Sequence, residues 1–65
     1  MNAPLLEYEM KRKGVTKREL SELLGITPAT FWRKCNGHSQ FTLNEMQAIV
    51  RKLKLEDPSS VFFKD

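Results

Sequence analysis

The chain has 65 residues, a formal net charge of +3 and one cysteine. A chain this short forms one domain with a thin core, burying only about 60% of the surface it exposes when unfolded. That size argues against an enzyme with a closed, water-excluding cavity, and a lone Cys35 excludes an internal disulfide and fits a reducing cytosol. The opening residues MNAPLLEYEMKRKG place their charges after the leucines, unlike a signal peptide, and no apolar run approaches the ~20 residues of a membrane span. A soluble, cytoplasmic protein is the expectation.

Strand patterns are absent, whereas helix boundaries are well marked. Pro4 suits a first helical turn, so a first helix is expected over residues 4–13, stopped by Gly14, with Leu6 and Met10 sharing a buried face. Thr16-Lys-Arg-Glu19 is a capping box that opens a second helix over residues 16–24, expected to bury Leu20, Leu23 and Leu24 before Gly25 ends it. Thr27-Pro28 starts a third helix over residues 28–35, with Asn36-Gly37 as its stop. Thr42-Leu-Asn-Glu45 is a second capping box for a fourth helix over residues 43–53. Its Leu43, Met46, Ile49, Val50 and Leu53 recur at three- and four-residue spacing as one buried stripe. A short turn over residues 58–63 follows Asp57 and carries Val61, Phe62 and Phe63. The whole reads as a compact all-α domain of four to five helices.

Only Gly25, Ile26 and the cap Thr27 separate the second and third helices, and so tight a joint is the helix-turn-helix arrangement. Charge is unevenly spread. Residues 10–44 hold seven basic side chains against Glu19 and Glu22, a surplus of five, while the remainder holds four basic against six acidic groups. A basic block of this kind is either a solvated face or a face that meets polyphosphate.

At roughly 100° per residue, Thr27, Phe31 and Cys35 fall on one side of the third helix, and Ala29, Trp32, Arg33 and Asn36 on the other. The functional reading of that outer side is insertion into a DNA groove. Arg33 can donate two parallel bonds to guanine, Ala29 can touch a thymine methyl, and Trp32 can lie against sugars or a methyl. The plain alternatives are a solvated arginine and a tryptophan packed into the core or a dimer seam. Lys34 points towards the inner side, its stem expected along the core edge and its ammonium escaping to solvent, within possible reach of a phosphate. Cys35 and His38 are spaced like half a zinc site, but no other cysteine or histidine exists to complete four ligands, so no metal or cofactor is expected.

The stretch Thr16-Lys-Arg-Glu-Leu-Ser-Glu-Leu-Leu-Gly-Ile-Thr-Pro-Ala-Thr-Phe-Trp-Arg-Lys-Cys-Asn-Gly37 resembles the Cro/C1-type (XRE-type) helix-turn-helix family, the likeness extending over about residues 4–55. The resemblance implies a lambda-repressor-like fold whose third helix enters the major groove of double-stranded DNA. It places Pro28, Ala29 and Arg33, with Trp32 beside them, at base-reading positions. It places Lys17 where a glutamine often contacts phosphate, and Asn36 at the phosphate position after the third helix. Thr16, Arg18, Thr27, Thr30, Lys34 and His38 complete the expected phosphate contacts. Two departures stand out. Pro28 and Ala29 offer no hydrogen bond where many members carry glutamine or serine, so reading leans on Arg33. Met10 and Cys35 occupy places where phage repressors often pair an arginine with a glutamate.

Three functions are compatible with these residues. The first is a sequence-specific transcriptional regulator of the phage- or prophage-repressor type. The second is a protein–protein module, antitoxin-like or anti-repressor, that keeps the fold without reading DNA. The third, an RNA binder, lacks the exposed multi-aromatic platform that single strands favour. Members of the family commonly act as pairs, so a weak homodimer on a palindromic site is expected, with Val61, Phe62 and Phe63 as its candidate seam. Of these, Phe62 should cap the core against the first and fourth helices and Phe63 should stay exposed.

Overall fold

A computed structural model describes residues 1–63. Five helices follow one another: α1 (Ala3–Lys13), α2 (Lys17–Leu24), α3 (Pro28–Cys35), α4 (Leu43–Leu53) and α5 (Pro58–Phe62). Local chemistry sets most of their ends. At α2, Thr16 Oγ1 accepts from the Glu19 amide at 3.1 Å while Glu19 Oε1 accepts from the Thr16 amide at 3.3 Å. The same reciprocal box opens α4, where the Glu45 amide donates to Thr42 Oγ1 at 3.1 Å and the Thr42 amide to Glu45 Oε1 at 2.8 Å. α1 starts one residue before Pro4, because Asn2 Oδ1 accepts from the Leu5 amide at 3.1 Å. The Asn2 amide also donates to the Val61 carbonyl at 2.7 Å, which ties the first helix to the last.

The core is one cluster of Leu6, Met10, Leu20, Phe31, Phe41, Ile49, Leu53, Val61 and Phe62. α1 packs on α4 and α5, and α2 packs on α3 and α4, so every helix contributes to it. Phe41 precedes α4 outside any helical pattern, yet it joins two ends of the core. Its ring meets Phe31 edge-on at 5.8 Å and Phe62 edge-on at 6.0 Å, the geometry that aromatic quadrupoles favour.

Three apolar side chains stand differently from their expected places. Leu23 is 50% exposed, because the inner face of α2 is centred on Leu20 and Leu24 with Ser21 beside them, and Leu23 lies roughly 100° away. Ser21 is buried without penalty, its hydroxyl donating to the Lys17 carbonyl at 2.7 Å. Leu43 is 66% exposed, at the edge of the α4 stripe and in its first turn, whereas Ile49 and Leu53 are sealed in the core. Val61, at 2% exposure, is a core residue and is not available to the seam for which it is a candidate, whereas Phe62, at 9%, lies in the core and Phe63, at 74%, is exposed, both as expected.

Candidate nucleic-acid interface

The joint between α2 and α3 is made by one glycine and one cap. Gly25 takes the left-handed conformation at φ 71°, and its amide donates back to the last carbonyls of α2. Thr27 then caps α3, its hydroxyl oxygen accepting from the Thr30 amide at 3.1 Å and donating to Thr30 Oγ1 at 3.0 Å. Phe31, 1% exposed, nails the inner side of α3 into the core. With that side fixed, Pro28, Ala29, Trp32, Arg33 and Asn36 are all left in solvent.

Trp32 is half-exposed rather than packed in the core, and its ring stacks on His38 with centroids 5.7 Å apart and planes 19° from parallel. His38 lies beyond the end of α3, where its amide donates to the Arg33 carbonyl at 2.9 Å. Asn36 turns its side-chain amide back onto the helix, donating to the Trp32 carbonyl at 2.8 Å. These contacts hold the indole against the turn after α3. Arg33 makes no ion pair among the described residues.

Thr16, Lys17 and Arg18 are exposed around the start of α2, but both cations are partnered. Arg18 Nε lies 3.4 Å from Glu22 Oε1 along its own helix, with both side chains largely in water. Lys17 Nζ lies 2.9 Å from Glu7 Oε1 of α1, each about half-exposed. Surface pairs of this kind are worth about 0–1 kcal/mol and open readily for a stronger anion.

Lys34 departs most from its sequence reading. Its ammonium does not escape to solvent. It donates to Glu45 Oε1 at 2.6 Å, with the two side chains 13% and 14% exposed, and lies 5.9 Å from the centre of the Phe41 ring. The same Glu45 oxygen closes the α4 capping box, so one carboxylate joins the end of α3 to the start of α4. This commitment withdraws Lys34 from the candidate phosphate contacts, since a phosphate would have to displace a nearly buried, doubly bonded carboxylate. Burial pushes the Glu45 carboxyl up, but the bonds from Lys34 and Thr42 outweigh it and hold the group below its ordinary 4.5. Its contribution to stability is therefore present above that value and lost as pH falls through the lower folded one. Lys34→Met should cost about 1–3 kcal/mol at neutral pH by leaving a carboxylate unpaired. Urea melts across acidic pH should also show a flatter acid limb in the variant, and an unchanged limb would contradict this account.

Cys35 is half-buried, and its thiol is pushed up to about 11, chiefly by burial, with Lys17 opposing and Glu7 adding to the rise. It is a protonated packing group at neutral pH, not a nucleophile. Among the described residues, no three His, Cys, Asp or Glu side chains come together as a metal cluster, and no helix is long and apolar enough to cross a membrane.

The family model of the Cro/C1-type HTH DNA-binding domain matches residues 6–58, more than three-quarters of the chain. The chain belongs to the Cro/C1-type helix-turn-helix family. No curated protein and no solved structure gives a significant match to it. In this Cro/C1-type domain, α2 and α3 are the motif and α3 is its second helix. Sequence reasoning had singled out the exposed side chains of α3. It missed the Trp32–His38 stack and the Lys34–Glu45 pair, because both join groups across a turn or a loop, where no helical spacing announces a neighbour.

Proposed function

We propose that this Cro/C1-type domain is a transcriptional regulator of the phage- or prophage-repressor type, acting in the cytoplasm, with α3 in the major groove of duplex DNA. The observation that carries the reading is the outer side of α3, where Pro28, Ala29, Trp32 and Arg33 all stand in solvent while Phe31 fixes the opposite side. In this reading Arg33 forks onto a guanine, and Ala29 and Trp32 supply apolar contact to thymine methyls and sugars. Thr16, Lys17, Arg18, Thr27, Thr30, Asn36 and His38 lie against phosphates and set the register. Thr16 and Thr27 bring with them the amide-rich starts of α2 and α3, which suit phosphate oxygens.

Two copies share one operator. A single short recognition helix touches few base pairs, and each correct pair contributes only about 1–3 kcal/mol, so discrimination needs a second copy. Phe63 is the side chain left for the seam, a large apolar group in water at the end of α5. Selection of bound duplexes from a random pool should return inverted half-sites about one helical turn apart, each duplex holding two chains. Phe63→Ser should lower the cooperativity of the second chain. One chain per duplex on a site without inverted symmetry would refute the pairing, and binding with no sequence preference would favour the protein–protein module.

A further inference from the structure

The basic surplus of residues 10–44 excludes Glu7, yet the fold brings Glu7 onto that block. Its carboxylate lies 2.9 Å from Lys17 Nζ, at the first residue of α2. The same shallow hollow between α1 and α3 is lined by Glu7, Lys17, Trp32 and Asn36, so the carboxylate stands at the edge of the face assigned to DNA.

We infer that Glu7 competes with the DNA backbone for Lys17, acting as a built-in phosphate mimic that holds down affinity for every duplex alike. The inference rests on the DNA-reading function proposed above. A carboxylate oxygen at 2.9 Å occupies the shell in which a phosphate oxygen would sit on that ammonium. An ammonium has three donors and can hold both anions, but they would then stand close enough to repel one another. The pairing also holds the Glu7 carboxyl below its ordinary range, chiefly through the hydrogen bond and charge of Lys17. Both side chains are half in water, so the exchange needs no opening of the core. Glu7 is thus a positioning residue for Lys17, making no contact with DNA itself.

The test is a duplex titration over a salt series with the wild-type chain, Glu7→Gln, Lys17→Ala and the double variant. Glu7→Gln should tighten binding roughly two- to fivefold on a selected duplex and on a random one, the scale of a surface ion pair. It should leave the log–log salt slope within a few tenths of the wild-type value, because Lys17 neutralises the same one phosphate in both chains. In the Lys17→Ala background the gain from Glu7→Gln should fall by half or more. Equal or weaker binding by Glu7→Gln would overturn the inference, as would an equal gain in both backgrounds, which would make Glu7 a general negative charge. Those results leave DNA reading intact, whereas a wild-type chain that binds no duplex at low salt would overturn both.

Discussion

Phe31→Ala should leave the domain largely unfolded at 37 °C. Phe31 is the only fully buried side chain of α3, and its ring meets Phe41 edge-on, which in turn meets Phe62. Its removal deletes one end of an aromatic row running from α3 to α5. Truncating a buried phenylalanine costs about 3–5 kcal/mol, lost transfer energy together with the cavity left behind. A single core in a domain below ~70 residues rarely supplies more than about 3–5 kcal/mol in total. The loss therefore matches the whole stability. Far-ultraviolet circular dichroism in a urea series reads the outcome directly. A variant with the wild-type midpoint would show that α3 is held by the α2–α3 joint alone.

Arg33→Ala should behave in the opposite way, folding normally and losing selective DNA binding. The side chain is exposed and unpaired among the described residues, so its removal should change stability by no more than about 0.5 kcal/mol. If its guanidinium forks onto a guanine, the loss in affinity for the selected duplex is about 1–3 kcal/mol, and preference relaxes at one base pair only. Lys17→Ala provides the contrast, since a phosphate contact should weaken all sequences alike and flatten the salt slope by about one. Uniform weakening by Arg33→Ala with base preference intact would move Arg33 into the phosphate-contacting set.

The sequence announces this fold through its helix ends. Both capping boxes, the glycine stops after α1 and α2, and the Thr27-Pro28 start are short-range signals, each closed within about four residues, and each forms as its local chemistry dictates. Burial was legible where a stripe has several members, as at Ile49 and Leu53, and failed at the margins. Leu23 and Leu43 are apolar at helical spacing, but each lies to one side of its stripe, where half or more of its surface stays in solvent. Phe41 carries no periodic signal, because it sits in the connection before α4, and only the folded chain sets it between Phe31 and Phe62.

The site divides along the same line. That Trp32 and Arg33 project from one side of α3 follows from the helix period alone. Which cations remain available does not. Lys34 is committed to Glu45, eleven residues away, and Lys17 to Glu7 on another helix. Such pairs depend on the packing of helices against one another, and a charge count along the chain cannot see them. Val61, Phe62 and Phe63 look alike as three consecutive apolar residues, yet α5 turns two inward and leaves one out.

The most direct test of DNA reading is equilibrium binding to a selected duplex, with a random-sequence duplex as competitor, from low to physiological salt. Each neutralised phosphate contributes close to −0.9 to the log–log slope, and the proposed contacts include several cations and helix starts. Affinity should fall by at least about tenfold across that range, while preference for the selected duplex persists at physiological salt. A flat salt response, or equal affinity for both duplexes at physiological salt, would contradict it.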